Sequence, residues 1–366
     1  MRNCIVINLA SSKKVMRLIE QIWFKAPQKN TLKGLFVQLF LLFLLPFSVL
    51  FWLISTLRRK AYQYGVFTQI QPNVPVIVVG NISVGGNGKT PMVLWLIQQC
   101  QVLGFTVGVI SRGYGGKAQH YPLILDSTIT TAQAGDEPVM IYQRTGVKIA
   151  VGSDRIASVE QLTKQGCDLI ISDDGLQHYR LGRTIELAIV DGKRGFGNQL
   201  LIPAGPLRED LWRLKTVDHI IVNGKKQELE QTTPLAASLK TIEMTLKASY
   251  FVNMVSGERL SINTFLQTYS KVNAIAGIGA PQRFFDTLTT NHFGIEKQQA
   301  FVDHYAYSAQ DFSTFSAHLP LLMTEKDSVK CQSFAQKHWW YLAVDAQFND
   351  EDSTALLTQI NALKIK

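Results

Sequence analysis

The stretch that most restricts the fold is Val76-Ile-Val-Val-Gly80-Asn-Ile-Ser-Val-Gly85-Gly86-Asn87-Gly88-Lys89-Thr90, an apolar run that breaks into glycines and ends in Gly-Lys-Thr ahead of a helix-length segment. A short β-branched run, a glycine-rich break and a helix in that order predict a strand-loop-helix phosphate cradle. Around Gly85, Gly86, Asn87 and Gly88 the backbone N–H groups can close on phosphate oxygens, and the following helix N-terminus adds the positive end of its dipole. Lys89 can reach β- and γ-phosphates, and the Thr90 hydroxyl can ligate Mg²⁺. A strict Gly-x-x-x-x-Gly-Lys-Ser/Thr spacing would place its first glycine at Ser83, so a glycine-rich turn without a ligand is the competing reading.

Beyond the loop, β-branched runs alternate with helix-length segments, the pattern of a parallel sheet covered by helices. Strands are expected at Val74–Val79, Thr106–Ile110, Lys148–Val151, Asp168–Ser172, Glu186–Val190 and His219–Val222, several ending in polar residues, where open α/β sheets bind ligands. Residues 228–262 are more polar, with a short alternating run at Met244–Val252, and read as an extended connector. A second α/β unit begins at Val272-Asn-Ala-Ile-Ala-Gly-Ile-Gly279 and continues through Leu321–Thr324 and Trp339–Val344. The expected division is therefore a basic segment and apolar helix (1–60), a phosphate-loop domain (61–227), the connector (228–262) and a smaller C-terminal α/β domain (263–366). At 366 residues, two domains with sizeable cores are the natural solution.

Leu35 to Leu57 carries no charge, and as a helix its 23 residues would reach ~34 Å, enough for one bilayer crossing. Up to Lys60, ten cations (Arg2, Lys13, Lys14, Arg17, Lys25, Lys29, Lys33, Arg58, Arg59, Lys60) face the single acid Glu20, so much of the net charge of +9 flanks this run. Membrane attachment is predicted. With both flanks basic, a true span and an in-plane helix on an anionic leaflet both fit; a buried core helix split by Pro46 is the remaining alternative. The run is too long and too deep for a signal peptide. Cys4, Cys100, Cys167 and Cys331 show no C-x-x-C or disulfide-dense spacing, as expected in a reducing compartment.

Other segments can carry chemistry. Asp168-Leu-Ile-Ile-Ser-Asp173-Asp174-Gly-Leu-Gln-His178 is an apolar strand ending in paired carboxylates, as phosphoryl transfer requires near a metal ion bridging the phosphates; a solvated Asp-Asp-Gly turn is the alternative. In Gly135-Asp136-Glu137-Pro138, Asp136 could act or could cap a helix over Pro138–Arg144. Asp303-His304 offers a carboxylate-polarised general base for a hydroxyl nucleophile, or a structural histidine. Ser111-Arg112-Gly113-Tyr114-Gly115 provides a basic, aromatic loop. Arg155 follows another strand, and Pro203-Ala-Gly-Pro-Leu-Arg208-Glu209 could present an arginine to phosphate or a surface ion pair. Gly277-Ile-Gly279 reads as a tight strand-to-helix turn.

Taken in order, Val79-Gly-Asn-Ile-Ser-Val-Gly-Gly-Asn-Gly-Lys-Thr-Pro91, Ser111-Arg-Gly-Tyr-Gly115, Gly135-Asp-Glu-Pro138, Asp173-Asp-Gly-Leu-Gln-His178, Pro203-Ala-Gly-Pro-Leu-Arg-Glu209 and Asp303-His304 resemble the motif set of the tetraacyldisaccharide 4′-kinase (lipid A 4′-kinase) family. The resemblance runs from about Ile19 to the end of the last domain. It implies a P-loop domain with an N-terminal membrane helix, a β-ribbon connector and a smaller α/β domain. The implied activity is transfer of the ATP γ-phosphate, with Mg²⁺, to the 4′-hydroxyl of a tetraacylated glucosamine disaccharide 1-phosphate at the cytoplasmic face of the Gram-negative inner membrane. Carried over by motif, Lys89 and Thr90 would hold phosphates and Mg²⁺, Asp173 and Asp174 would organise the metal, and Asp136 with His304 would take the hydroxyl proton. Tyr114, Arg155, His178, Arg208 and Glu209 would lie near the phosphates or the sugar. The implied partners are the lipid-linked disaccharide and anionic inner-membrane lipid, with no nucleic acid and no obligate protein partner. Family members often carry a second histidine where this chain has Tyr305, and Met16–Phe24 resembles their start, which leaves Met1 and Met16 both open as the initiator. The rival is a membrane-associated ATPase or GTPase switch acting on a protein. Guanine selection would need an Asn-Lys-x-Asp-like segment, and in the nearest candidate, Thr324-Glu325-Lys326-Asp327, the lysine is misplaced.

Overall fold

In the computed structural model, residue 19, residues 22–24 and residues 31–365 are described. Both candidate initiators, Met1 and Met16, and most of the first basic flank lie outside these residues. In chain order the elements are helix α1 (Leu32–Gln63), β1 (Val76–Gly80), α2 (Lys89–Val102), β2 (Val107–Ser111), β3 (Leu123–Ile124), α3 (Thr131–Ala134), α4 (Asp136–Thr145), β4 (Lys148–Val151), α5 (Arg155–Lys164), β5 (Leu169–Asp173), β6 (Ile185–Asp191) and β7 (His219–Asn223). There follow α6 (Lys226–Thr232), β8 (Thr241–Asn253), β9 (Arg259–Ser261), α7 (Ile262–Thr268), β10 (Lys271–Ala276), α8 (Pro281–Thr290), β11 (Gly294–Ala300), β12 (Leu321–Thr324), α9 (Glu325–Cys331), β13 (Trp339–Gln347) and α10 (Asp350–Asn361).

These elements form two compact units that interleave along the chain. One comprises residues 1–71, 80–87 and 176–244; the other comprises 72–79, 88–175 and 245–366. The chain passes from the first to the second inside the glycine loop, at Asn87–Gly88.

In the second unit, β1 pairs in parallel with β5, β5 with β2 and β2 with β4, while β3 closes that edge antiparallel. Every residue of β1, β2 and β5 is buried, which is why these strands read as unbroken apolar runs rather than alternating ones. The register sets Val79 opposite Asp173, so the end of the loop-bearing strand lies beside the first of the paired carboxylates. The same unit contains the parallel order β11-β10-β12-β13, with β13 antiparallel to β8 from Thr245 onward. Phe251, Phe265, Phe284, Phe285 and Trp340 fill its core. Segment 228–262, expected as an extended connector, holds the end of α6, the 13-residue strand β8, and β9 paired back on it.

In the first unit, β6 pairs in parallel with β7, and β7 with the first four residues of β8. Here α1 runs through Pro46 and is long and apolar enough to cross a membrane. Leu39, Phe43, Phe47, Leu50, Leu53 and Leu57 are exposed, the opposite of a core helix. So large an apolar surface calls for a non-aqueous neighbour. One face is held: the buried Ser48 hydroxyl donates to Leu201 O at 2.9 Å and accepts from Ala204 N at 3.0 Å. Toward the helix end Arg59 donates to Thr216 Oγ1 at 3.2 Å and stacks 3.8 Å over the Trp212 ring.

Candidate functional site

The loop after β1 takes its shape from two glycines. Gly85 and Gly88 adopt φ of 112° and 94°, backbone conformations that cost a side-chain-bearing residue about 1–3 kcal/mol. Gly88 caps α2, so Lys89 and Thr90 open that helix with the positive end of its dipole behind them. Lys89 Nζ lies 3.1 Å from Asp174 Oδ1. Asp173, the last residue of β5, is buried. Its Oδ1 has no hydrogen-bond partner among the described residues. Burial, and next the Glu137 carboxylate, push the Asp173 carboxyl up to about 7, against the opposing pull of Lys89 and Arg155. A buried carboxylate oxygen with no protein donor suits a cation, and Thr90, Asp173 and Asp174 are chemically fit to hold Mg²⁺. Among the described residues no three His, Cys, Asp or Glu side chains form a metal cage. A cation there would need phosphate oxygens and water to complete its shell, as Mg²⁺ usually has in phosphoryl-transfer sites.

Arg155, buried at the start of α5, donates to Ser172 Oγ (2.8 Å), Asp173 O (2.9 Å), Ile110 O (3.3 Å) and Asp174 O (3.4 Å). Its guanidinium thus fixes the ends of β2 and β5, including the backbone that aims both carboxylates.

Asp136 and His304, 168 residues apart in sequence, meet in the same unit: His304 Nδ1 is 3.0 Å from Asp136 Oδ2. Gly135 caps α4 at φ 88°, so Asp136 is the first helical residue rather than the cap, and its carboxylate is turned to the histidine. His304 itself adopts φ 57°, a left-handed conformation that an unconstrained histidine seldom takes. The Tyr114 ring, largely exposed, lies 5.4 Å from the His304 ring. Lys330 Nζ stands 4.0 Å from Asp136 Oδ2 and 2.8 Å from Asp327.

In the first unit, Pro203–Glu209 backs the glycine loop. Val84 N donates to Pro206 O at 2.8 Å and Arg208 N to Ile82 O at 2.7 Å. Arg208 also donates from its guanidinium to Asn81 Oδ1 and to Ser83 O. Glu209 does not pair with Arg208 on the surface. It is buried, accepting from Gln177 Nε2 at 2.6 Å and from the Tyr179 hydroxyl, with Arg213 Nε at 3.3 Å. His178 lies in the turn joining these partners, its carbonyl accepting from Leu181 N and from Arg183. Asn87 donates to Ser83 Oγ at 3.0 Å and its carbonyl accepts from Asn223 at 3.2 Å.

Two residues of the sites were missed in sequence. A Cβ at Gly85 would sit 3.1 Å from Arg194 Nη1, so Arg194 lies against the glycine loop, and its guanidinium stands 4.1 Å over the Phe24 ring. Its only sequence signal was a basic residue in the glycine-rich turn Asp191-Gly-Lys-Arg-Gly-Phe-Gly after β6. Lys326, dismissed above as a misplaced guanine-selecting lysine, stands 3.2 Å from Glu137 Oε1, 3.2 Å from Asp303 Oδ1 and 3.4 Å from His304 Nε2.

Comparisons with known proteins point to one family. The sequence profile of the family described as tetraacyldisaccharide-1-P 4′-kinase matches residues 40–362. A tetraacyldisaccharide 4′-kinase of Colwellia psychrerythraea is 56% identical over 94% of this chain and 98% of its own length. That of Psychromonas ingrahamii is 50% identical over 88% and 96%. Among solved structures, LpxK from Aquifex aeolicus, crystallised in complex with ATP, superimposes with a TM-score of 0.72 at 26% identity, covering 87% of this chain and 98% of that one. With a family profile matching most of its length and relatives of about half identity covering nearly all of theirs, the chain belongs to the tetraacyldisaccharide-1-phosphate 4′-kinase family.

Proposed function

We propose that the protein phosphorylates the 4′-hydroxyl of a tetraacylated glucosamine disaccharide 1-phosphate, taking the γ-phosphate of ATP, at the cytoplasmic face of the inner membrane. Support comes from the family, and the single observation that carries the chemistry is the Asp136–His304 pair at 3.0 Å in the same compact unit as Lys89, Asp173 and Asp174. Gly85 to Thr90 receive the triphosphate, with backbone N–H groups and Lys89 meeting its negative charge. Thr90, Asp173 and Asp174 would hold Mg²⁺, which when bound would neutralise charge on the phosphate oxygens. The Asp136–His304 dyad receives the proton of the 4′-hydroxyl as its oxygen bonds to phosphorus and the bond to the ADP leaving group breaks. Tyr114, next to the dyad, is placed to border the sugar, while Arg155, His178, Arg208 and Glu209 order the strand ends and the loop that border the phosphates. An acceptor anchored by acyl chains stays at the bilayer surface, and α1, with Arg58 and Lys60 exposed near its end, keeps the enzyme there beside anionic lipid.

The test is transfer of γ-labelled phosphate in detergent micelles containing the disaccharide lipid. Label on the lipid is the expected result; label only as free phosphate, at a rate indifferent to lipid, would establish the ATPase alternative.

A further inference from the structure

Lys326 opens no motif, yet three polar groups around the dyad converge on its ammonium. Glu137, the neighbour of Asp136 on α4, and Asp303, the neighbour of His304, each place a carboxylate oxygen 3.2 Å from Nζ. The third group is the ring nitrogen His304 Nε2 at 3.4 Å. The lysine lies in the first turn of α9, whose cap, Thr324, accepts from Asp327 N; Asp327 is fully buried and accepts in turn from Gly277 N, Tyr307 and Thr324. The stem of Lys326 is thus carried on a fixed support, and the side chain itself is mostly buried.

An ammonium has only donors to offer. A ring nitrogen in contact with it must present a lone pair, so the single proton of a neutral His304 belongs on the other nitrogen, Nδ1. That nitrogen faces Asp136 Oδ2 at 3.0 Å, where a proton makes a charge-assisted hydrogen bond and a lone pair would face a carboxylate. Burial works to strip the Lys326 proton, but Glu137 and Asp303 outweigh it and hold the ammonium above the ordinary lysine range, so the donor persists at neutral pH. The two carboxylates also tie the lysine to the elements that carry each member of the dyad. The loop has supports of its own, since the neighbouring Tyr305 hydroxyl donates to Asp311 at 3.0 Å and its ring packs on Phe301, but at His304 itself the backbone holds a positive φ and the ring meets the exposed Tyr114.

We propose that Lys326 is a positioning residue: bridging Glu137 and Asp303, it holds His304 against Asp136 and fixes the ring as the Nδ1–H tautomer. This rests on the dyad role proposed above, but its test does not depend on turnover. Protein labelled with ¹⁵N at histidine, in detergent at about pH 8, is read by two-bond ¹H–¹⁵N correlation, with His304 assigned by its disappearance in H304Q. The expected result is the Nδ1–H pattern in the wild type and a shift toward Nε2–H or a mixture in K326M. Turnover is expected to fall on the order of tenfold or more in K326M with little change in KM for ATP, and to recover in K326R, which restores a cationic donor. An Nε2–H ring in the wild type overturns the proposal whatever the variants do. So does a K326M protein that keeps both the wild-type tautomer and wild-type kcat. Were the wild type to show the Nδ1–H ring but no lipid phosphorylation, the proposed reaction would fall while the role of Lys326 in the dyad geometry stood.

Discussion

Replacing Asp136 by asparagine separates proton transfer from everything else this residue does. The amide has nearly the volume of the carboxylate and its oxygen can still accept from His304 Nδ1, so the 3.0 Å contact need not be lost. What disappears is the ability to stabilise a proton arriving at the dyad. General acid–base contributions of roughly 10²–10⁴-fold translate to about 3–5 kcal/mol of barrier. The structural cost is smaller. Asp136 is buried at the first turn of α4, where a negative charge beside the helix N-terminus contributes about 0.3–1 kcal/mol, and Lys330 at 4.0 Å keeps its closer partner Asp327. The expected outcome is therefore a kcat lower by 10² or more, with an ATP KM near wild type and a thermal midpoint shifted by only a few degrees. H304A should fall comparably, and D136N/H304A should be no worse than about the poorer single variant, since groups that act as a unit are not additive. The assay is steady-state transfer of labelled phosphate to lipid, paired with thermal unfolding of each variant. Turnover within tenfold of wild type in D136N, with the protein folded, would refute the assignment; multiplicative losses in the double variant would show that the 3.0 Å pair does not work as one unit.

Three further outcomes are expected. G85A should weaken ATP binding by about tenfold or more, because alanine at φ 112° is strained and its Cβ meets Arg194 at 3.1 Å, whereas G86A, with nothing within 4 Å of the added Cβ, should be near neutral; equilibrium nucleotide titration distinguishes them. D173N should stabilise the nucleotide-free, divalent-free protein at high pH. A carboxyl whose folded value is raised to about 7 lies above its unfolded value, so the wild type loses stability as pH climbs from about 4 to 7; the difference should vanish near pH 4 and reach a few kcal/mol above pH 7, with Mg²⁺-ATP stabilising the wild type but not the variant. Denaturation midpoints against pH measure this. Deleting residues 1–57 should release the protein from the membrane fraction, since it removes most of the exposed apolar surface of α1; persistent co-sedimentation with vesicles would assign binding to another surface.

What could be read in the sequence was whatever repeats a local rule. Strands β1, β2, β4, β5, β6 and β7 were found within a residue or two at each end because they are buried on both faces and so carry continuous β-branched runs. Strand β11, Gly-Ile-Glu-Lys-Gln-Gln-Ala, has no such signal: it lies at the end of the order β11-β10-β12-β13, mostly exposed, and its polar side chains are what an edge tolerates. Gly85, Gly88, Lys89 and the Asp173-Asp174 pair were legible for the same reason as the strands, since loop, helix start and strand end are contiguous. The dyad was half legible: each of Asp136 and His304 had a structural reading as good as its catalytic one, and the pairing of α4 with a loop 168 residues away, which favours the catalytic one, is written nowhere in the local sequence. Lys326 was not legible at all. Its local context, the first turn of a seven-residue helix, asks for nothing in particular, and in sequence it looked like a failed specificity motif. The demand for a cation at that position comes entirely from Glu137 and Asp303, two acids that tertiary structure brings within 3.2 Å of the same point. Carboxylates gathered at one point would otherwise repel, so Lys326 is the residue whose charge allows Glu137 to stand next to Asp136 and Asp303 next to His304.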